Sequence, residues 1–179
     1  MGRFQAPNAL VGISLVAVFA AACTAIFTKP TSERIRSKIV KIALKEASDM
    51  ASRKSEIASR VALYWNDVLA PADQLTPPKD WCGAFVLWAL HSAGLALNTK
   101  WRVGSGFASQ LPKTNNPKPG DVAYFNHLQH HALVTAVKDG QVSLMNGNGF
   151  GGLITPSTTP IGNVTAFYSI EPYLQQAIG

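Results

Sequence analysis

Cysteine is scarce in this sequence, and no internal repeat is present. The 179 residues include two cysteines, Cys23 and Cys82, and the first lies inside an apolar run near the N-terminus. Neither has the spacing of a zinc site, and we do not expect them to form a disulfide. We therefore predict two free thiols, no bound metal and no cofactor, in a chain long enough to bury the core of about one domain.

Charged residues are also few, at 15% of the chain, and they never gather into a basic patch. Lysine and arginine exceed aspartate and glutamate by 16 to 10, which gives a formal charge of +6. Because the cations are dispersed and do not alternate with aromatic residues, binding to nucleic acid is not expected. The surplus suits an anionic surface such as a cell envelope or phospholipid headgroups.

One long apolar run covers residues 9–27 and is closed by Lys29. Its nineteen residues are enough to cross a bilayer, so we predict a membrane anchor within residues 1–30. A cleaved signal peptide, suggested by Ala20-Ala21-Ala22, is the next alternative, and a lipoprotein site at Cys23 is the third. Each alternative places residues 31–179 outside the cytoplasm or at its boundary, while the flanking charges leave the orientation open.

The first part of the remaining chain has a helical pattern. Apolar residues recur at helical spacing between residues 32 and 70, with a polar break at residues 52–55, which predicts two helices or one bent helix. A loop follows at residues 71–78, and a helix that begins near Cys82 should run to about Ala93. Residues 31–70 thus form a helical lead-in to residues 71–179.

Strands are predicted in the second part, after the tight turn Pro119-Gly120-Asp121. The predicted strands are residues 122–125, 132–137, 141–145 and 164–168, and Asp139-Gly140 marks a hairpin. A turn at residues 104–106, a short helix at 107–111 and a helical turn within 170–178 complete the prediction. Helices followed by an antiparallel meander give the α+β class.

Cys82 is placed where a loop becomes a helix, after Asp80-Trp81. A helix N-terminus has unpaired N–H groups and a partial positive charge, which stabilise a thiolate and offer donors to an oxyanion. Cys82 is thus a candidate nucleophile, although a lone free cysteine is more often a small apolar core residue.

A catalytic thiol needs a base, and histidine is the usual one. Of the four histidines, His91 lies on the helix of Cys82 and His127 lies in a loop. His130 and His131 stand at the start of a predicted strand, which is stiff enough to aim an imidazole and open enough to admit a substrate. After the next strand, Asn146-Gly147-Asn148 offers amides that can orient the imidazole, although Asn-Gly is also ordinary turn chemistry.

These motifs, in this order, resemble the CHAP family of amidohydrolases and peptidases and, more distantly, the NlpC-type peptidases. The resemblance covers about residues 60–170 and depends on Asp80-Trp81-Cys82-Gly83-Ala84-Phe85, Pro119-Gly120-Asp121-Val122, His130-His131-Ala132-Leu133-Val134 and Asn146-Gly147-Asn148. It implies a papain-like fold and a metal-free Cys-His-Asn site that hydrolyses amide bonds of peptidoglycan, with Cys82 as the nucleophile.

The resemblance leaves two choices open. Ala132, set on the small position of the family pattern, selects His130, whereas the apolar residue expected after the histidine favours His131. Strand alternation favours His130, because His130, Ala132 and Val134 would share a face and leave room for the Cys82 helix. The family often has Glu-x-Asn after this strand; here Asn146 occupies the glutamate position and Asn148 matches the asparagine.

Two other functions are compatible with the sequence. One is a membrane-tethered module that binds the cell wall or has a structural role without turnover, which the missing glutamate would favour. The other is the same chemistry on a different amide, as in a toxin or effector, because a fold does not fix a substrate.

Overall fold

The computed structural model describes residues 31–68, 80–97 and 110–178 of the chain. Within these ranges, no helix has the length and hydropathy needed to cross a bilayer. The apolar run 9–27, the loop 71–78, the turn 104–106 and most of the short helix 107–111 lie outside the described residues, as does Cys23.

Three helices come first. Helix α1 is Ser32–Ser52, and the Thr31 side chain caps it by accepting a hydrogen bond from the Arg34 N–H at 3.3 Å. A short 3-10 helix, Lys54–Glu56, separates it from α2, Ile57–Val68, at the polar break in the pattern. Helix α3 is Cys82–Ser92. The sequence predicted either two helices or one bent helix before α3, and the structure has two separate helices.

Six strands form one antiparallel sheet in the order β1-β6-β2-β3-β4-β5. Their bounds are Lys113–Thr114 (β1), Val122–Phe125 (β2), His130–Lys138 (β3), Gln141–Asn146 (β4), Thr155–Pro160 (β5) and Ala166–Tyr168 (β6), and the chain ends with α4, Glu171–Ile178. The α+β class is confirmed. All four predicted strands are present, and the two edge strands β1 and β5 are additional.

The two faces of the sheet belong to different clusters of buried residues. On one face, Val122, Tyr124, Leu133, Met145 and Tyr168 pack with the helices, including α3, in the main core. On the other face, a smaller cluster surrounds strands β2, β3 and β4; it contains Ala123, Ala132, Val134, Val142, Leu144, Val164 and Phe167. Because side chains alternate along β3, its neighbouring residues enter different clusters.

A buried ionic network fastens α1 to the sheet and to α4. The Arg36 guanidinium contacts Asp121 Oδ1 and Glu171 Oε2, each at 2.9 Å, and donates to the Pro119 carbonyl at 2.7 Å. Asp121 is 1% exposed, and its second oxygen accepts a hydrogen bond from the Lys118 N–H. The Pro119-Gly120-Asp121 turn is therefore a junction between three segments that are distant in the chain.

Candidate active site

Cys82 lies in the first turn of α3, where the sequence predicted it. The preceding residue, Trp81, provides no capping hydrogen bond from its side chain, so the Trp81 side chain leaves the N–H groups of this turn to other partners. The Cys82 thiol is buried, with the residue 3% exposed. A cysteine in this setting combines a helix N-terminus with a largely apolar environment.

The helix N-terminus and the apolar surroundings shift the pKa of the Cys82 thiol in opposite directions. Burial raises the pKa of the Cys82 thiol, whereas hydrogen bonds from the backbone N–H groups of His131, Gly83 and Cys82 itself lower it. The nearby Asp80 carboxylate adds a smaller upward contribution to this pKa. The net pKa is raised, because burial outweighs the helix N-terminus and these hydrogen bonds.

His130 lies at the start of β3 and shares a cleft with Cys82. The cleft has a volume of about 330 Å³ and is lined by Asp80, Cys82, the loop residues 126–129, His130 and Asn148. Burial lowers the pKa of the His130 imidazole, and the hydrogen bond that His130 donates to Asn146 raises this pKa by a smaller amount. Burial thus shifts both pKa values in the direction that favours a neutral thiol and a neutral imidazole.

Asn146, the last residue of β4, fixes the tautomer of His130. The Asn146 side-chain N–H₂ donates to the Thr155 carbonyl at 3.0 Å and to Ser157 Oγ at 2.9 Å, so its Oδ1 is turned toward His130. His130 Nε2 lies 3.1 Å from that oxygen and must donate to it. In a neutral ring the lone pair is then on Nδ1, which is the atom free to accept a proton.

Asn148 has a different partner from Asn146. Its side-chain N–H₂ lies 3.4 Å from Asp80 Oδ1, across the cleft, and its backbone has a positive φ of 53°. Asparagine tolerates this left-handed conformation better than most residues. Of the two amides that the sequence singled out, Asn146 contacts the histidine and Asn148 contacts the loop before the nucleophile helix.

His131 is fully buried on the opposite face of β3. Its ring packs against Tyr124, with centroids 4.9 Å apart, and burial lowers its pKa to about 3, with a further contribution from His130. Tyr124 and Leu133 on this face belong to the core that contains α3. The sequence-based reason for preferring His130 was therefore wrong: the face that packs with the Cys82 helix carries His131, and His130 reaches the cleft from the other face.

A close backbone contact sets the distance between α3 and the end of β4. A β-carbon built on Gly147 would lie 2.8 Å from Phe85 Cβ, closer than two such atoms can approach. Gly147 thus allows the strand that ends in Asn146 to touch the helix that begins with Cys82. The sequence presented this glycine only as part of a turn.

The remaining histidines and acidic residues do not form a metal centre in the described part of the chain, where no group of three or more potential ligands is suitably arranged. His91 bonds to Asp67 Oδ2 at 2.7 Å and to the Leu97 carbonyl at 2.9 Å, away from the cleft. His127 lies in the cleft wall, which the sequence did not indicate.

Comparison with known proteins gives one family match. Residues 74–148 match the family model described as the CHAP domain, a segment that includes Cys82, His130 and Asn146. No curated protein and no solved structure gives a significant match to the chain.

Proposed function

Because residues 74–148 of the chain match the CHAP domain, we propose that the protein is a cysteine hydrolase that cleaves amide bonds of peptidoglycan. The proposal includes a papain-like arrangement in which Cys82, His130 and Asn146 act together. The observation that carries it is the His130 to Asn146 hydrogen bond of 3.1 Å beside the cleft that also contains Cys82. Three residues from three different elements then have the order nucleophile, base and orienting group.

The proposed reaction begins from the neutral pair. His130 Nδ1 accepts the Cys82 proton as the sulfur attacks the amide carbonyl carbon, which forms the C–S bond and places negative charge on the carbonyl oxygen. The backbone N–H of Cys82, at the start of α3, turns from the thiol to that oxyanion as its donor. The C–N bond then breaks, and the leaving amine takes the proton from His130.

Hydrolysis of the thioester completes the cycle. His130, neutral again, removes a proton from water, the hydroxide oxygen bonds to the acyl carbon, and the C–S bond breaks. The product leaves as a carboxylic acid, which loses its proton to solvent, and the proton held by His130 returns to the sulfur. Asn146 keeps Nδ1 unprotonated between steps by holding the Nε2 hydrogen.

Location is part of the same proposal. If residues 9–27 anchor the chain in a membrane, the CHAP domain faces the cell wall from the outer side of that membrane; if they are a cleaved signal, the domain is secreted. Either position brings the domain to its proposed polymeric substrate.

A binding module without turnover is the second candidate. The feature that favours it is the buried thiol of Cys82, because burial raises the pKa of this thiol and so disfavours the thiolate. Such a module would hold cell-wall fragments in the cleft and release them unchanged.

One experiment tests both candidates. Full-length protein and its Cys82→Ala variant are incubated with purified sacculi, and soluble fragments are identified by mass spectrometry, with Cys23→Ala as the matched cysteine control. We expect the wild type and Cys23→Ala to release fragments that share one newly cut amide bond, and Cys82→Ala to release none. Equal release by Cys82→Ala would refute the mechanism, and binding of fragments without any cleavage by the wild type would favour the second candidate.

A further inference from the structure

Four cations form a line along the exposed face of α1, which we name the cationic stripe. Its members are Arg34, Lys38, Lys41 and Lys45; all four are exposed, and they follow one another at spacings of four, three and four residues. Because a helix turns about 100° per residue, these spacings place the side chains within an arc of about 60°, along about 17 Å of α1. The cations are dispersed in the sequence, but the helix aligns these four on one face.

Two members of the cationic stripe have partners of different charge. Lys38 Nζ donates to the Ala93 carbonyl at 3.0 Å, and a carbonyl carries no net charge. Lys45 Nζ, at the far end of the stripe, bonds to Asp49 Oδ2 at 2.5 Å. The carboxylate therefore offsets charge at the far end of α1, whereas Lys38 retains its charge near the N-terminal end.

A cavity of about 490 Å³ borders the stripe and adds a further cation to this surface. Lys41 and Ser37 line it from α1, and the exposed Lys118 lines it from the turn before β2. Glu33 is also in the lining, and the charge of the third cation there, Arg36, is taken up by its buried network. The cavity thus has two lysines and a hydroxyl at its rim, which is a suitable environment for an anionic group such as a phosphate.

An apolar side chain lies beside the stripe. Leu44 is 50% exposed and comes three residues after Lys41 on α1. An exposed leucine beside lysines is typical of helices that lie in the interface of a membrane, where the leucine reaches the acyl boundary and the cations meet the headgroups. A dissolved polyanion offers no such apolar layer, so Leu44 favours a lipid surface over nucleic acid.

The position of α1 in the chain brings the stripe close to the predicted anchor. The apolar run ends at residue 27, and α1 begins at Ser32. Five residue steps span at most about 18 Å, so α1 of an anchored chain begins within reach of the headgroups. The described lining of the candidate active site comes from the start of α3, the start of β3 and the loops around them, and not from α1. Contact through the stripe therefore does not use the cleft.

We propose that the cationic stripe, together with Leu44, docks on the anionic phospholipid headgroups of the membrane beside the anchor. This inference deepens the proposed location and rests on it for the partner, but it does not depend on the proposed hydrolysis. Because the stripe follows the helix axis, docking would hold α1 along the membrane surface and fix the orientation of the domain.

The test measures how close α1 lies to a lipid surface. Full-length protein with Cys23→Ala and Cys82→Ala carries one fluorophore, either on Ser37→Cys beside the stripe or on Thr158→Cys in the edge strand β5 as the position control. The protein is reconstituted with vesicles of phosphatidylcholine, with or without phosphatidylglycerol, that contain a quencher on the headgroups. We expect phosphatidylglycerol to increase quenching at position 37 but not at position 158, and about 0.5 M salt to abolish the increase.

Two pairs of substitutions separate the stripe from net charge. Lys41→Gln with Lys45→Gln removes two charges from the stripe, and Lys113→Gln with Lys138→Gln, in β1 and β3, makes the same change of net charge on the sheet. We expect the first pair to weaken docking about tenfold in a quenching titration with phosphatidylglycerol, and the second pair to have little effect. Leu44→Ser should weaken docking several-fold without a change of charge.

The outcomes separate this inference from the other proposals. Quenching at position 37 that phosphatidylglycerol does not increase, or equal losses in the two lysine pairs, would overturn it. Docking that Leu44→Ser leaves unchanged and that duplex DNA displaces would assign the stripe to nucleic acid instead. If the apolar run does not insert, quenching at position 37 still reports binding through the stripe. The expected quenching, together with no release of fragments from sacculi by the wild type, would refute hydrolysis while supporting docking.

Discussion

His130 and His131 are neighbours in the chain, yet their surroundings have almost nothing in common. His130 is partly exposed, lines the cleft and donates to Asn146. His131 is fully buried and packs on Tyr124 in the face that meets the helices. The alternation of side chains along β3 is sufficient to produce this difference, because one residue step reverses the face.

The comparison also shows how a residue can serve a site without its side chain. The backbone N–H of His131 lowers the pKa of the Cys82 thiol, while the His131 ring remains in the core. The imidazole of His130 faces the cleft instead. Four predictions test this division between a side chain that reacts and a side chain that packs.

The largest expected effect follows from His130→Ala. Loss of the proposed base should lower kcat/KM on soluble peptidoglycan fragments about 10³-fold, with little change in the free energy of unfolding. His127→Ala is the matched control, since His127 lines the same cleft and should change kcat/KM less than tenfold. Equal losses in the two variants would contradict a specific role for His130.

His131→Ala should act on stability instead. Removal of a buried ring that packs on Tyr124 is expected to lower the free energy of unfolding by about 3 kcal/mol, measured by urea denaturation. His131→Phe retains a ring and the backbone N–H, and should keep both stability and most of the activity. A stable His131→Phe protein as inactive as His130→Ala would reverse the assignment of the two histidines.

The third prediction concerns pH. His131 has a pKa of about 3 in the folded chain and an ordinary value near 6.5 when unfolded, so the unfolded state binds more protons between these values. The stability that the neutral ring contributes is complete above pH 6.5 and is lost as the pH falls, by about 2 kcal/mol at pH 5. The difference between wild type and His131→Phe in denaturation at each pH isolates this contribution, and parallel curves would contradict it.

The smallest effect is expected from Asn146→Ala. Loss of the orienting bond should lower kcat about tenfold and, because that bond raises the pKa of His130, should move the acidic limb of the pH profile to lower pH. Asn146→Asp should move the limb to higher pH. Asn148→Ala, the matched control, should leave the limb in place, and a shift in that variant would transfer the orienting role to Asn148.

Much of the fold could be predicted because local signals were strong. The Asp139-Gly140 turn joins β3 and β4 as expected, and both residues have the positive φ that the turn requires. Strand β5 was missed because Pro156 and Pro160 argue against a strand. It tolerates them as an edge strand, which has no partner on its outer side among residues 31–68, 80–97 and 110–178.

The site was only partly predictable, for a physical reason. Residue types and their order nominated Cys82, His130, His131, Asn146 and Asn148, but the sequence did not decide between the members of each pair. That choice depends on which face of β3 meets α3, a tertiary feature without a local signal. The hydrogen bond from the His131 backbone could not be predicted either, since every residue except proline has the same N–H.

The Arg36 network has a consequence for the order in which the chain can fold during synthesis. Arg36 is near the start of the domain, but its two carboxylate partners come 85 and 135 residues later. Its side chain, 7% exposed in the finished structure, can pair with Asp121 first, and gains its second carboxylate partner only when Glu171 of α4 has left the ribosome. The complete network that joins α1, the turn before β2 and α4 is therefore one of the last sets of contacts that the domain can form.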